Sequence, residues 1–505
     1  MSEEVKDIQT ESTVANQTSS YRSIFKATSL FGGVQVYQIL ISIIKQKFVA
    51  VLLGTTGMGI QGLYQSGIDL IKGITSMGLQ QSAVRDVSEA YGTGDMQRIN
   101  RTATILRRLV WITGLLGMIA TVCFSPFLSK SLFGNYDYTI PFIILSVILL
   151  LDQISSGQRV LLQGMRKLKH LAKASAYGIT VGLFVSVPLY YLMGVKGIVP
   201  TLILNSVTSL LLSWYFVRKI PVEEEKLSTK TVFYEGSSML KMGIAMSITG
   251  VLGILMAYIL KAFISHVGGV DDVGLYTAGF VILNTYVGMV FTAISTDYYP
   301  RLAAVNKDNE RCKEVINQQG EIAVLIVAPI IMACIIAMPF LVRLVYSDDF
   351  LPASDFILWA IPGVMFRASS TVIAYVFLAK AESKIFVINE VSSMLYGLVL
   401  RVAAYYYFGL DGLGVAYLLV YFIYTIQVYL IARHRYGFQF SSSFSRIFVF
   451  QLTLAALGFI LIHSWHSAWV YLPLSMLFLV SGWHSLKELD ARMRLSQIIK
   501  NRFHR

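Results

Sequence analysis

Apolar runs of roughly 20 residues recur along the whole of this 505-residue chain. A helix of that length crosses the ~30 Å hydrocarbon core of a lipid bilayer. The composition agrees, because 55% of the residues are hydrophobic and only 14% are charged, whereas a soluble domain carries about 25% charge. No long polar stretch separates the runs. We therefore expect an all-α polytopic membrane protein without a sizeable soluble domain.

The apolar runs predict about fourteen transmembrane helices. They lie near residues 27–52, 58–79, 109–128, 139–163, 174–193, 197–217, 242–264, 273–299, 321–342, 354–379, 385–407, 412–432, 447–463 and 469–486.

Basic residues are concentrated in every second loop between these spans. The poorer side carries only Lys130, Lys196, Lys261 and Arg343. Cytoplasmic loops are rich in Lys and Arg, so the pattern predicts that both termini are cytoplasmic and that the number of spans is even. The net charge of +13 does not indicate a nucleic-acid partner, because the cations are spread over short loops and not gathered on one face.

The same pattern predicts six segments. They are a disordered cytoplasmic tail at 1–23, an N-lobe of six spans at 24–219, a cytoplasmic connector at 220–240, a C-lobe of six spans at 241–435, two further spans within 446–486 and a basic cytoplasmic tail at 487–505. The first twenty residues are polar and contain no apolar core of a signal peptide. The three cysteines share no metal-binding spacing, so we expect neither a metal nor a cofactor.

Glycines at matching positions indicate an internal repeat. The sequence separation of Gly59 and Gly274 is the same as that of Gly73 and Gly288, which lie in the same two spans. We call this separation the repeat interval. Both spans lead into a basic residue and then a polar loop. Two six-span halves have the same orientation in the membrane, as in transporters built from parallel repeats, and a cleft between the halves is then the expected site.

Two glycine-rich segments carry a family resemblance. KQKFVAVLLGTTGMGIQGLYQSGIDLIKGITSMGLQQSAVRD in the first half and VGLYTAGFVILNTYVGMVFTAISTDYYPRLAAV in the second resemble the Wzx-type flippases. These proteins export lipid-linked oligosaccharides such as O-antigen units and form the polysaccharide transporter branch of the MATE-like MOP superfamily. The resemblance covers about residues 24–435 and rests on no single diagnostic motif.

The resemblance implies a bacterial inner-membrane protein with a V-shaped, alternating-access cavity. Its cargo would be an undecaprenyl-pyrophosphate-linked oligosaccharide, moved from the cytoplasmic to the outer leaflet. Membrane lipids and a polysaccharide polymerase complex are the implied partners. Spans 13 and 14 lie outside the twelve-span core, and in some relatives such helices border a groove for the lipid tail.

Three spans of the first half each carry polar residues along one helical face. The positions are Gln35, Gln38, Ser42 and Lys45 in the first span, Gln61, Gln65, Asp69, Lys72 and Ser76 in the second, and Asp152, Ser156, Arg159 and Gln163 in the fourth. Such faces predict a hydrated cleft in which amides contact sugar. The structural alternative is that Asp69 pairs with Lys72 one turn away and that the polar faces only hold helices together.

Charged residues inside spans are costly and are therefore candidates for function. The candidate pyrophosphate and sugar contacts are Lys45, Lys47, Lys72, Arg159 and Arg367, together with Gln35, Gln38, Gln61 and Gln65. Arg401 is a weaker candidate because it lies near a span end. Flipping in one direction requires a driving force, and desolvated carboxylates that bind H⁺ or Na⁺ would supply it. The candidates for this coupling are Asp69, Asp152, Asp297 and Glu390.

Other functions remain open at this point. A multidrug or cation antiporter of the MATE type shares the architecture, but a cation cavity should be acidic or aromatic, whereas the charges within these spans lean positive. A membrane polysaccharide polymerase or ligase is disfavoured because the outer loops are short and no catalytic motif is present. A channel is disfavoured because the charges are scattered over several helices. We therefore expect a transporter and not an enzyme.

Overall fold

The computed structural model describes the backbone of residues 2–465 and 467–493. Side chains are described within these ranges except at residues 2–32, 286, 289, 292–297 and 493. The predicted tail at 1–23 and residues 494–505 of the predicted basic tail lie outside the residues with described side chains. Their assignments therefore stay predictions.

The described part of the chain consists of helices joined by short turns, with no β-strand among them. The α-helices are α1 (Ser2–Thr75), α2 (Leu79–Thr93), α3 (Met96–Phe133), α4 (Thr139–Gly164), α5 (Leu168–Met193), α6 (Ile198–Val217), α7 (Thr229–Val267), α8 (Val270–Val281), α9 (Gly288–Ala304), α10 (Asn309–Val345), α11 (Pro352–Ala379), α12 (Ser383–Tyr436), α13 (Ser442–Ser464) and α14 (Tyr471–Met493). A π-helical segment, Ile282–Tyr286, joins α8 to α9.

Two of the long helices are broken at a glycine. In α1 the break is at Gly54, with φ 66° and ψ −168°, and in α12 it is at Gly409, with φ 60° and ψ −143°. These backbone angles are readily adopted by glycine, which has no Cβ atom. The 54 residues of α12 would extend about 80 Å as one straight helix, far more than a bilayer core, so α12 supplies two spans.

The helix lengths are consistent with the fourteen predicted spans. Nine helical stretches of the described residues are long and apolar enough to cross a membrane, and three of these are 43 to 54 residues long. Those three stretches are 33–75, 168–217 and 383–436, each with room for two crossings. The chain is therefore an all-α polytopic membrane protein, as the sequence predicts.

The first polar loop is more ordered than the sequence suggests. We predicted a loop between the spans that end at 79 and begin at 109, but this region contains α2 and the first turns of α3. Helix α2 is amphipathic, with Leu79 and Val87 buried against α3 and α4. The carboxylate of Asp95 accepts a hydrogen bond from the backbone N–H of Gln97 and so caps the start of α3.

The backbone repeats with the predicted interval. Arg166 and Ala381 are separated by the repeat interval, and both have a φ of 56°, a value that is uncommon for residues other than glycine. The same interval separates the end of α4 at Gly164 from the end of α11 at Ala379. It also separates the first residues of the helices that follow, α5 and α12. The internal repeat inferred from the glycines is thus present in the helix boundaries and in a rare backbone conformation.

The chain forms two compact units. Unit 1 contains Met1–Leu53 and Tyr64–Val251, and unit 2 contains Gly54–Leu63 and Leu252–Arg505. Unit 1 has a core of buried aliphatic residues from α2, α3, α4 and α6. The Arg101 guanidinium in α3 donates two hydrogen bonds, of 2.8 and 2.5 Å, to the carboxylate of Glu235 at the start of α7. This contact lowers the pKa of the Glu235 carboxyl.

The repeated glycines make a close helix crossing inside unit 2. A Cβ atom at Gly59 would lie 2.0 Å from the carbonyl oxygen of Val270, and one at Gly274 would lie 2.1 Å from the carbonyl oxygen of Thr55. Both distances are too short for a side chain. Each of the two repeat-related glycines thus allows its helix to approach the backbone of the other helix.

We expect Gly59→Ala to destabilise the protein, because the added methyl group would collide with backbone that cannot move cheaply. Overpacking of this kind costs about 1–3 kcal/mol, which lowers the melting temperature by several degrees. Thermal unfolding of the purified protein in detergent measures the effect. The matched control is Gly250→Ala, where nothing lies within 4 Å of the new Cβ atom. Equal melting temperatures for the two variants would show that the crossing is not close-packed.

Candidate functional site

Unit 1 contains an ion pair between two predicted site residues. The Nζ atom of Lys72 in α1 donates a hydrogen bond of 2.7 Å to Oδ2 of Asp152 in α4. The side chains are 33% and 24% exposed, so both are partly shielded and both remain reachable. The alternative in which Lys72 pairs with Asp69 is therefore wrong about the partner.

The polar face of α1 continues towards Gly54. The Nε2 atom of Gln65 donates a hydrogen bond of 2.8 Å to Oδ1 of Asp69, one turn away on the same helix. Gln61, which belongs to unit 2, has a buried side-chain oxygen without a hydrogen-bond partner among the described residues. A buried acceptor without a partner is costly, so this oxygen is available to a ligand or to water.

Of the other candidate residues of unit 1, Arg159 and Lys45 do not join the Lys72–Asp152 pair in one hydrogen-bonded cluster of described side chains. Arg159 lies two turns beyond Asp152 on α4, half-buried, and its Nε atom has no partner among the described residues. Lys45, Lys47 and Gln38 are half-buried along the first part of α1, while Gln35 is exposed. Within the described side chains, no hydrogen bond joins Arg159 or Lys45 to the Lys72–Asp152 pair.

In unit 2 the Arg367 guanidinium lies among amide and aromatic groups. Its Nη1 atom donates to Oδ1 of Asn284 at 3.0 Å and to the hydroxyl of Tyr417 at 3.1 Å. The guanidinium also lies over the rings of Phe291 and Tyr421, 4.9 and 5.6 Å from their centroids. Such cation–π contacts stabilise a cation without neutralising it, so Arg367 keeps its charge for an anionic ligand.

The helix opposite Arg367 is irregular. Asn284 lies within the π-helical segment, and a Cβ atom on Gly288 would lie 3.8 Å from Nη2 of Arg367. π-Helical turns occur frequently at functional sites. No sequence signal marks this irregularity, because the apolar periodicity continues through the segment.

Arg367 lines a cavity of about 420 Å³ within unit 2. Arg401 and Glu390 line the same cavity, with Tyr375, Tyr421 and Tyr424. Arg401 forms no hydrogen bond or ion pair with any described residue. Two guanidinium groups and one carboxylate leave the cavity with a net positive charge, and the tyrosine rings offer flat surfaces for stacking.

Glu390 is held in a polar cluster between the two parts of α12. The Tyr424 hydroxyl donates a hydrogen bond to Glu390, and Nδ2 of Asn389 donates to that hydroxyl at 3.0 Å. Gln427 in turn donates to Oδ1 of Asn389 at 2.7 Å and to Ser392 at 2.9 Å. Glu390 therefore has neutral hydrogen-bond donors and no ion pair within the described residues, which leaves its charge open to a proton or a cation.

The Lys72–Asp152 pair of unit 1 and the Arg367–Asn284 contact of unit 2 occupy matching positions of the repeat. We call them the two polar centres. The repeat interval separates Asp152 from Arg367, and it also separates Asp69 from Asn284, the partner of Arg367. Each unit thus presents a charged side chain, from α4 or α11, to the glycine-containing helix of its own half.

Two residues gain contacts that the sequence did not indicate. Lys261, which was counted on the poorer side, lies inside α7, and its Nζ atom donates to the carbonyl oxygen of Gly62 at 3.3 Å. Arg401 was ranked low because of its position near a span end, yet it shares a cavity with Arg367. Asp297, a predicted coupling residue, lies outside the residues with described side chains.

Comparison with known proteins gives a consistent result. The Lipid III flippase of Escherichia coli (strain K12) is 23% identical over 433 residues, which are 82% of this chain and the full length of the relative. Among solved structures, a lipid II flippase MurJ in an inward closed conformation has a TM-score of 0.66 at 12% identity, covering 92% of this chain and 99% of that chain. An inward-facing multidrug resistance MATE family transporter of the MOP superfamily has a TM-score of 0.65 at 15% identity, covering 79% of this chain and 94% of that chain.

These structural likenesses show a shared fold at low sequence identity. A sequence model of the family described as "Polysaccharide biosynthesis protein" matches residues 48–355, more than half of the chain. The matched region includes both repeat-related glycines and the Lys72–Asp152 pair. The chain therefore belongs to the polysaccharide biosynthesis protein family.

Proposed function

We propose that this chain is a flippase that moves an undecaprenyl-pyrophosphate-linked oligosaccharide from the cytoplasmic to the outer leaflet of a bacterial inner membrane. The observation that carries the proposal is the set of cations held inside the spans, above all Lys72 and Arg367. The family match and the similarity to a lipid III flippase over that relative's whole length agree with this cargo. Transport by alternating access breaks no covalent bond in the cargo, so no catalytic group is required.

The embedded cations suit a pyrophosphate. Arg367 and Arg401 present forked donors that match two phosphate oxygens, while Lys72 acts as a point charge. Lys72 is already paired with Asp152, so a pyrophosphate must share Lys72 with the carboxylate or displace it. The same pair then links headgroup binding to the charge state of Asp152.

Neutral polar groups in both units suit the sugars. Unit 1 carries the amides of Gln38 and Gln65. Gln61, in unit 2, has a buried oxygen with no partner among the described residues. In unit 2 the cavity of Arg367 carries three tyrosines. Amides hydrogen-bond sugar hydroxyls and aromatic rings pack against the apolar faces of sugar rings.

A multidrug or cation antiporter is the second candidate. The fold does not separate the two functions, because a MATE transporter and a lipid II flippase match with nearly equal TM-scores. Glu390 with its tyrosine neighbours resembles a cation site, and this observation favours the second candidate. The two arginines in the same cavity oppose it, because they leave the net charge positive.

The proposal also includes the residues that couple flipping to an ion gradient, the orientation of the chain in the membrane and a protein partner. Asp152 and Glu390 are the coupling candidates with described surroundings, and Asp69 and Asp297 remain further candidates. Both termini lie in the cytoplasm, as the basic loops indicate. A polysaccharide polymerase complex that receives the flipped unit is the proposed protein partner.

We expect Lys72→Gln and Arg367→Gln to slow flipping of an undecaprenyl-pyrophosphate oligosaccharide in proteoliposomes. Each variant removes a charge-assisted contact worth about 1.5–3 kcal/mol, which corresponds to a rate loss of roughly tenfold or more. Glutamine preserves much of the side-chain volume and can still hydrogen-bond Asp152 or Asn284. The control is Lys130→Gln, which removes a cation that lies over Tyr136 at the end of α3. Wild-type rates in both variants, with full reconstitution, would remove these residues from the headgroup site.

We expect Asp152→Asn to abolish the response of flipping to an ion gradient. Asparagine cannot take up a proton or pair electrostatically with Lys72, so the coupling step would be lost while the fold remains. The measurement compares flipping rates before and after a proton or sodium ionophore collapses the gradient. The control is Asp137→Asn, at an exposed loop carboxylate. A normal gradient response in Asp152→Asn would exclude Asp152 as the coupling group.

A further inference from the structure

A cavity of about 710 Å³ lies in unit 1, and neither Lys72 nor Asp152 is among the residues that line it. It is lined by residues of α3 around the start of the third predicted span, by part of α4, by the end of α6 and by the connector between α6 and α7. The basic loops assign this side of the helices to the cytoplasm. Cavities of this size accommodate a small-molecule headgroup. Nothing in the proposed transport cycle uses it.

The charges of this cavity favour an anion. Arg107, Arg108 and Arg218 line it, against the single carboxylate of Glu224. Arg108 is occupied, since its Nη1 atom donates to the carbonyl oxygen of Leu227 at 2.5 Å. Arg107 is half-buried and forms no hydrogen bond or ion pair within the described part of the chain. Its donors are therefore available to a ligand.

The third guanidinium lies at the rim. Arg218 directly follows α6, and its guanidinium lies 5.4 Å from the ring centroid of Trp214. Trp214 and Trp111 line the cavity and are about half exposed, and Ile112 beside them is also exposed. Tryptophans at the ends of membrane helices lie at the level of the lipid headgroups, and exposed aliphatic side chains just beyond them face acyl chains.

We propose that this cavity binds the phosphate headgroup of an anionic phospholipid of the cytoplasmic leaflet. Arg107 and Arg218 hold the phosphate, and the two tryptophans flank the glycerol region. Basic pockets between membrane helices on the cytoplasmic side are suited to such headgroups. This site is independent of the proposed transport function.

The depth of the cavity favours a phospholipid over the flipped substrate. Lys72 and Arg367 fall within the predicted spans 58–79 and 354–379. Arg107 lies just before the predicted span 109–128 and Arg218 just after the predicted span 197–217, at the level of the phospholipid phosphates. A polyprenyl pyrophosphate has the same phosphate chemistry, so the test must separate the two lipids.

Native mass spectrometry of the full-length protein in detergent provides the test. Phosphatidylglycerol, phosphatidylethanolamine and undecaprenyl pyrophosphate are each titrated into wild type and into the double variant Arg107→Gln/Arg218→Gln. Arg108 is left intact because it fixes the connector. We expect wild type to prefer phosphatidylglycerol over phosphatidylethanolamine and the double variant to lose about tenfold or more in phosphatidylglycerol affinity. The control Arg433→Gln/Arg435→Gln removes the same charge from exposed positions at the end of α12 and should bind as wild type does.

A second variant changes affinity in the opposite direction. Glu224→Gln removes the one carboxylate of the cavity from an exposed position, so folding should be preserved even if the double arginine variant is unstable. We expect it to bind phosphatidylglycerol several-fold more tightly. Unchanged or weaker binding would contradict the proposal.

Three further outcomes would also overturn it. The first is an absence of preference for phosphatidylglycerol in wild type, and the second is an equal loss of affinity in the Arg433/Arg435 control. The third is a loss confined to undecaprenyl pyrophosphate, which would assign the cavity to the transported lipid. Because the readout is binding, none of these outcomes bears on whether the protein flips its substrate.

Discussion

The ion pair between Lys72 and Asp152 illustrates the constraint on which the rest of this structure depends. A charged group inside a bilayer is stable only where a partner, a dipole or water replaces its lost hydration. In unit 1 that partner is an opposite charge 2.7 Å away. In unit 2 the Arg367 guanidinium is stabilised by an amide, a hydroxyl and two aromatic rings. A chain that retains such groups in its spans bears a stability cost that a purely structural helix bundle would avoid, and this cost is the physical reason to assign them a function.

The repeat explains why the two centres occupy equivalent positions. One constant interval relates the close-packed glycines, the ends of α4 and α11, and the left-handed residues Arg166 and Ala381. It also relates Asp152 to Arg367, two residues of opposite charge. Equivalent backbone positions therefore carry different chemistry. In one half a carboxylate pairs with a lysine. In the other half the guanidinium forms no ion pair with a described residue, which is suited to an anionic headgroup.

Much of this architecture was predictable from local sequence patterns. Span lengths follow from apolar runs, and the polar faces follow from the helical spacing of residues such as Gln61, Gln65 and Asp69. The partner of Lys72 was not predictable, because Asp152 is distant in the sequence and only tertiary packing brings the two together. The same limit applies to Arg401, whose cavity is formed by residues from α11 and both parts of α12. Helix α2 was missed because its polar face resembles a loop when only membrane-length apolar runs are sought.

The choice between an anionic lipid-linked cargo and an organic cation is the central claim, and transport selectivity of the wild-type protein tests it most directly. Proteoliposomes containing the purified protein would be supplied in parallel with a fluorescent undecaprenyl-pyrophosphate oligosaccharide and with a small organic cation. The net positive cavity of Arg367 and Arg401 predicts protein-dependent movement of the lipid-linked oligosaccharide and none of the cation. Movement of the cation, with the lipid left in its original leaflet, would contradict the account.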